Sequence, residues 1–194
     1  KHCIGCAACV SICPVDVFDY EDEVPLDTRA DACVFCELCV DVCPVLRPTD
    51  RDMKEQIQLK EPVKDEGFGP YAYGCYARAT DKALVADGQD GGVCTALILH
   101  GMENGTIKAA VAGEEHAENP QMGSSMLQQT KEEVIQGARS RYTYQPNTLA
   151  LVEAMKKDVG PLAVVGVPCQ VNGVRQQQFS SIRLDVAEWS QNNI

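Results

Sequence analysis

From residue 70 onward the apolar positions alternate between helical spacing and short unbroken runs. Asp90 stands where a cap is needed for a helix that starts after Gly91-Gly92, carries Val93, Ala96, Leu97, Leu99 and His100, and ends near Asn104-Gly105. Ile107 to Gly113 reads as a short buried strand and Lys131 to Gly137 as a second helix. Pro146-Asn147 opens a third helix that runs to Lys157, with Leu149, Val152 and Met155 on one face. Leu162 to Val167 is a second apolar strand, and Cys169 follows it after Pro168. Strands and helices in alternation imply an α/β layer with parallel strand pairing.

Residues 48–69 are charged and proline-containing, which reads as a linker with one helical turn. Residues 1–47 are organised by cysteines. Cys3, Cys6, Cys9 and Cys13 precede Pro14, and Cys33, Cys36, Cys39 and Cys43 precede Pro44. Both sets fit C-x-x-C-x-x-C-x-x-x-C-P, and the second repeats the first after thirty residues. Three closely spaced thiolates on a tight loop reach three corners of one 4Fe–4S cube, and the fourth, on a short helix that points away, ligates the other cluster. Cys3, Cys6, Cys9 and Cys43 are thus expected to hold one cluster, and Cys33, Cys36, Cys39 and Cys13 the second. Small Gly5, Ala7 and Ala8 let backbone amides approach the sulfurs, and each proline ends its loop. Structural zinc would not need four cysteines plus proline twice over. Disulfides would need an oxidising compartment, and no signal segment points to one. The segment resembles bacterial-type ferredoxin with two 4Fe–4S clusters. That resemblance implies two short hairpin-like halves related by pseudo-symmetry, with the clusters replacing most of the hydrophobic core.

Composition adds two constraints. The net charge of −11 is uneven, because residues 1–47 set nine acidic side chains against Lys1, Arg29 and Arg47. That balance excludes a nucleic-acid backbone as partner, since phosphate contacts need clustered Lys and Arg. It suits either solubility or steering onto a basic patch of a redox partner. No apolar run approaches the roughly 20 residues of a membrane helix, so a soluble, cytoplasmic protein without a membrane span is expected.

Two stretches of the second unit carry candidate chemistry. Ala86 to Thr95 places three glycines at a helix start, where free amides and the helix dipole accept phosphate; an ordinary helix cap is the alternative. Gly137 to Asn147 offers Arg139, Arg141, Tyr142, Thr143 and Tyr144 before a helix. These suit a phosphate plus a planar ring, or simply line a loop. Cys75 and Cys94 read as packed thiols. Cys169 alone reads as a buried thiol.

Together, Ala77-Arg78-Ala79-Thr80-Asp81, Gln89 to Leu97, Arg141 to Asn147 and Val165-Gly166-Val167-Pro168-Cys169-Gln170 resemble the beta subunit family of coenzyme F-420 (F420) hydrogenases and dehydrogenases. The resemblance implies an α+β ferredoxin-like domain at 1–47 followed by an α/β FAD-binding domain at 70–194 that is C-terminally incomplete. It implies FAD exchanging hydride with F420, and electrons relayed to or from a hydrogenase, formate dehydrogenase or similar subunit. Thr80, Gln89, Asp90, Gly91, Gly92, Val93, Thr95, Arg141, Tyr142, Thr143, Pro146 and Asn147 become candidates for the FAD site. Cys169 becomes a candidate ligand of a third cluster, its companions lying beyond Ile194 or on a neighbouring chain. A ferredoxin-driven reductase on the same fold, and an electron-wiring module without flavin, are the alternatives.

Overall fold

A computed structural model describes residues 2–47, 63–65, 67, 69–182 and 184–194. The two cysteine repeats fold alike around helices α1 (Ala8–Ser11) and α2 (Leu38–Asp41). Each helix is entered through two left-handed residues, Gly5 (φ 63) and Ala7 (φ 58) in the first repeat, Phe35 (φ 54) and Glu37 (φ 63) in the second. Left-handed backbone costs a residue with a Cβ about 1–2 kcal/mol, and the cysteine loops accept that cost to turn their sulfurs inward.

Strands β1 (Asp19–Glu21) and β2 (Val24–Leu26) pair antiparallel across Asp22 (φ 47) and Glu23 (φ 64). Two positive φ angles give the turn the twist that a tight hairpin needs. Among the described residues this hairpin lies between the repeats, so the expected hairpin in each half is corrected to one. The segment also has an apolar core of its own, with Ile12, Leu38 and Val42 fully buried beside Ala187.

The helical turn expected in the linker falls on residues 48–62, outside those described. The end of that stretch is not loop: β3 (Val63–Asp65) pairs antiparallel with β4 (Gly69–Tyr71).

The remainder is a sheet between helices. Helix α3 (Lys82–Asp87) is capped by Asp81, whose carboxylate accepts from the Ala83 amide at 2.8 Å. Helix α4 (Val93–Glu103) follows, but Gly92 is its N-cap, not Asp90. Asp90, Gly91 and Gly92 are consecutively left-handed, whereas a side-chain cap needs extended backbone at the capping position. The buried face of α4 is Thr95, Ile98 and Leu99, while Leu97 is exposed.

Strand β5 (Ala109–Glu115) starts two residues later than expected and β7 (Leu162–Val164) ends sooner, as the chain turns through Gly166 towards Pro168. They pair in parallel, Val111 opposite Val164. A strand that the apolar pattern did not show, β6 (Gly123–Gln128), pairs antiparallel on the other side of β5. The sheet, ordered β6-β5-β7, is therefore mixed rather than parallel.

Along β5 the side chains alternate. Ala110 packs with Ile98, Leu99 and Val134 under α4 and α5 (Lys131–Gln136), whereas Ala109 and Val111 pack with Leu127, Leu151 and Leu162 on the other side. A 3-10 turn (Asn147–Leu149) leads into α6 (Ala150–Lys156) and shifts its phase. Ala150, Leu151 and Ala154 face inward; of the expected Leu149, Val152 and Met155, Met155 packs half-buried against that core and the other two do not belong to it. Proline at the first position then starts α7 (Pro168–Phe179), which α8 (Asp185–Asn193) follows. Both helices pack against the cysteine segment.

Candidate functional site

Where the sulfurs stand is reflected in their thiols. Burial, and then the nearby sulfurs of Cys6, Cys43, Cys3 and, least, Cys39, push the Cys9 thiol up to about 12. Cys6 is raised by burial and by Cys169, Cys43 and Cys3. Cys39 is raised by burial and by Cys36, Cys13 and Cys33. Cys43 thus stands with the first set and Cys13 with the second. Cys13, Cys33, Cys36 and Cys39 also line one cavity of about 40 Å³, closed by Val17, Phe18 and Leu38. Amides aim at the sulfurs: Gly5 N–H at Cys3 Sγ (3.4 Å), Val17 at Cys13 (3.3 Å), Phe35 at Cys33 (3.4 Å) and Leu46 at Cys43 (3.5 Å). Among the described residues no three metal-binding side chains close on a single ion. All eleven cysteines are free thiols. Sulfurs gathered in two groups, with amide donors at four of them, fit iron clusters, whose positive iron would draw off the thiol protons.

Three side chains tie the first cysteine loop to its surroundings through consecutive carbonyls. Tyr144 Oη donates to Ile4 O at 2.8 Å, Tyr20 Oη to Gly5 O at 2.6 Å and Thr148 Oγ1 to Cys6 O at 2.5 Å. Burial raises both phenols, Tyr20 most strongly. From α7, Gln177 donates to Ala8 O (3.2 Å) and Ser11 Oγ (2.7 Å), and beyond it Ser180 donates to Asp41 (2.6 Å). Gly173 faces Ala8 so closely that a Cβ on it would lie 2.6 Å from the Ala8 Cβ.

Against this loop opens a cavity of about 530 Å³. One wall is the start of α4, with Gly92, Cys94 and Thr95; another is the 137–147 loop; the third joins Ile4 and Cys6 to Val167, Cys169 and Gln170. No side chain caps α4, so its first amides and dipole remain available to an anion.

Of the residues singled out from sequence, Gln89, Gly92, Thr95, Arg141, Thr143, Asn147 and Cys169 line the cavity. Thr80, Asp90, Gly91, Val93, Tyr142 and Pro146 stand outside its wall. Tyr142 points to solvent, 88% exposed, and accepts from Gln89 Nε2 at 2.5 Å. Cys75 and Cys94 are exposed rather than packed, and Cys94 borders the cavity.

Arg139, Ser140, Tyr144 and Gln145 of the 137–147 stretch and Gln170 of the 165–170 stretch also line it, and sequence reading missed Gln128 on the same wall. Gln128 is buried with its Nε2 unpartnered, and Asn147, whose Nδ2 donates to Val165 O at 2.9 Å, has an unpartnered Oδ1. Leaving such groups buried and unmade costs about 1–3 kcal/mol each. An orphan donor and an orphan acceptor, two arginines and an open helix start fit a polar planar ring carrying phosphates.

Comparison with known proteins agrees with these two halves. Residues 2–46 match the 4Fe-4S dicluster domain, and residues 75–152 match coenzyme F420 hydrogenase/dehydrogenase, beta subunit N-term. The chain is 33% identical over 124 residues to the coenzyme F420 hydrogenase subunit beta of Methanosarcina barkeri, covering 63% of this chain and 42% of that protein. It is 30% identical over 178 residues to the coenzyme F420-dependent sulfite reductase of Methanocaldococcus jannaschii, covering 91% of this chain and 25% of that one. A chain of the F420-reducing [NiFe] hydrogenase complex from Methanosarcina barkeri superposes with a TM-score of 0.54 at 28% identity, over 64% of this chain and 43% of that chain. The chain thus spans less than half the length of these relatives. Residues 2–46 are thus similar to a 4Fe–4S dicluster domain, and residues 75–152 to the N-terminal part of the coenzyme F420 hydrogenase/dehydrogenase beta subunit.

Proposed function

We propose that this chain is the electron-transferring part of an F420-linked oxidoreductase, with FAD in the large cavity and two 4Fe–4S clusters in the cysteine segment. The observation that carries the reading is the shared wall. Residues suited to a flavin nucleotide and Cys6 of the first cysteine set line the same 530 Å³ space.

The α4 amides and Arg141 would hold the phosphates, and Gln128 and Asn147 would meet the polar edge of the ring. Bound there, FAD supplies the conversion between a hydride pair taken from F420 and single electrons. The protein's own part is to seat the ring beside the first cysteine loop and to shield that loop from water. Free thiols suit a reducing compartment such as the cytoplasm, and among the described residues no helix is long and apolar enough to cross a membrane. The second cysteine repeat, whose Val34 and Phe35 are exposed, would serve a hydrogenase, formate dehydrogenase or similar redox partner.

Anaerobically prepared protein should carry flavin and two clusters, and both chromophores should bleach with reduced F420. Iron without flavin would leave a wiring module. Flavin that ignores F420 but is reduced by ferredoxin would favour a ferredoxin-driven reductase. One observation keeps a reductase role in view: a relative that aligns over 91% of this chain, though over 25% of its own length, is a coenzyme F420-dependent sulfite reductase. Cys169 touches both the cavity and the Cys6 neighbourhood, and we propose it as a ligand of a third cluster completed from outside these residues. Unchanged iron content in Cys169→Ala would return it to a packed thiol.

A further inference from the structure

We infer that Tyr144 sets the reduction potential of the first cluster by polarising the Ile4–Gly5 peptide. This rests on the proposed assignment of Cys3, Cys6, Cys9 and Cys43 to that cluster. Tyr144 Oη donates to the Ile4 carbonyl at 2.8 Å. The N–H of the same peptide unit, carried by Gly5, donates to Cys3 Sγ at 3.4 Å. A peptide polarised at its oxygen is a stronger donor at its nitrogen, so the phenol's influence is delivered to a ligand sulfur. Donors to cluster sulfurs favour the more negative, reduced state, and they are among the levers that set its potential.

Sequence and backbone are arranged for this approach. A Cβ on Gly5 would lie 1.5 Å from Tyr144 Oη and 2.4 Å from Glu23 O, at φ 63. Glycine is therefore required twice, for the dihedral and for the phenol. Tyr144 also lines the cavity, so it stands between that space and the cysteine loop.

The second repeat supplies an internal control. Phe35 N–H donates to Cys33 Sγ at the same 3.4 Å, yet among the described residues no side chain donates to the Val34 carbonyl. Phe35 takes the place of Gly5 and is 86% exposed. The amide–sulfur contact is common to both repeats, and the phenol behind it belongs to the first alone. Tyr20 gives a graded comparison, because it donates to Gly5 O at 2.6 Å and touches Tyr144 Oη only at 3.3 Å. The N–H of that next peptide, on Cys6, has no sulfur acceptor among the described residues.

The test is an anaerobic redox titration with dithionite, following each cluster by electron paramagnetic resonance. One electron enters each cluster and no bond is made or broken. Tyr144→Phe keeps the ring and removes the donor. One of the two midpoints should become more negative by up to about tenfold in its one-electron equilibrium, about 59 mV, while the other stays in place. Tyr20→Phe should move neither by as much. Fluorotyrosine at position 144, a stronger donor of the same shape, should move the same midpoint the opposite way. Unchanged midpoints with normal iron content, or equal shifts of both, would overturn the inference. A wild-type protein with a single cluster signal would overturn the cluster assignment itself, and the inference with it.

Discussion

The two cysteine repeats share a motif, a backbone path and an amide–sulfur contact, yet they live in different surroundings. The first is held from above and behind. Cys6, Ala7, Ala8 and Ser11 are buried, and Tyr144, Thr148 and Gln177 bind its backbone. The second faces outward, with Val34 58% and Phe35 86% exposed, and Glu37 where the first has Ala7. Side-chain size records the difference at one position: Gly5 makes room for Tyr144, while its counterpart Phe35 is exposed, whereas Ala8 facing Gly173 and its counterpart Leu38 are both fully buried. A repeated ligand motif therefore does not make two equivalent clusters. The first repeat borders the cavity, and the second carries an exposed apolar tip.

Making the first repeat resemble the second should have the largest effect. Gly5→Ala adds a Cβ at a left-handed residue and against Tyr144. It should cost roughly 2–5 kcal/mol from strain and overpacking together, seen as a lower thermal midpoint of the anaerobic protein. The reciprocal Phe35→Gly should leave that midpoint nearly unchanged. Equal responses would show that the repeats are not differently supported.

Gln177→Leu removes two hydrogen bonds to α1 and leaves their acceptors buried, with an expected cost of about 1–3 kcal/mol. Val40→Ser, on the exposed repeat, should stay within about 0.5 kcal/mol by the same denaturation measurement.

Phe35→Ser should change stability as little, but it strips an apolar anchor from a surface rich in exposed acids. Electron delivery to a basic acceptor protein at low salt should fall about tenfold, while reduction by F420 is unaltered. A loss of both would place Phe35 in the support of the fold.

The smallest effect lies away from both repeats. Thr130 and Glu133 form a reciprocal cap on α5, Glu133 accepting from the amides of Gln129 (2.7 Å) and Thr130 (2.9 Å). Those bonds lower the Glu133 carboxyl below its ordinary value. Their contribution is present above the unfolded-state value and is lost as pH falls through the lowered one. Glu133→Gln should cost up to about 1 kcal/mol at neutral pH. The wild-type and variant urea midpoints should converge at acid pH without disturbing either cluster.

The eight cysteines were legible because ligand spacing is local and repeats itself. Most helices and two strands were legible from apolar periodicity, although the Asp90 cap was not, because its dihedral is set by the two glycines that follow. Strand β6 escaped notice because Gly123-Ser124-Ser125 carries no apolar signal and pairs only through its register with β5. Gln128 escaped, and the contact of Tyr144 with Ile4 could not be foreseen, for another reason. Nothing local marks a polar side chain whose partner lies over 100 residues away, as Tyr144 and Ile4 do. Separate domains joined by a linker were expected, and the packing of α7 and α8 on the cysteine segment could not be read from either part alone.

The most direct test compares Cys39→Ser with Cys9→Ser after rapid anaerobic mixing with reduced F420. With the outer set broken, the remaining cluster should still bleach at close to the wild-type rate while delivery to an external acceptor is lost. Breaking the inner set should leave the outer cluster oxidised. Unimpaired bleaching in Cys9→Ser, or none in Cys39→Ser, would contradict the placement of the first repeat between the cavity and the second.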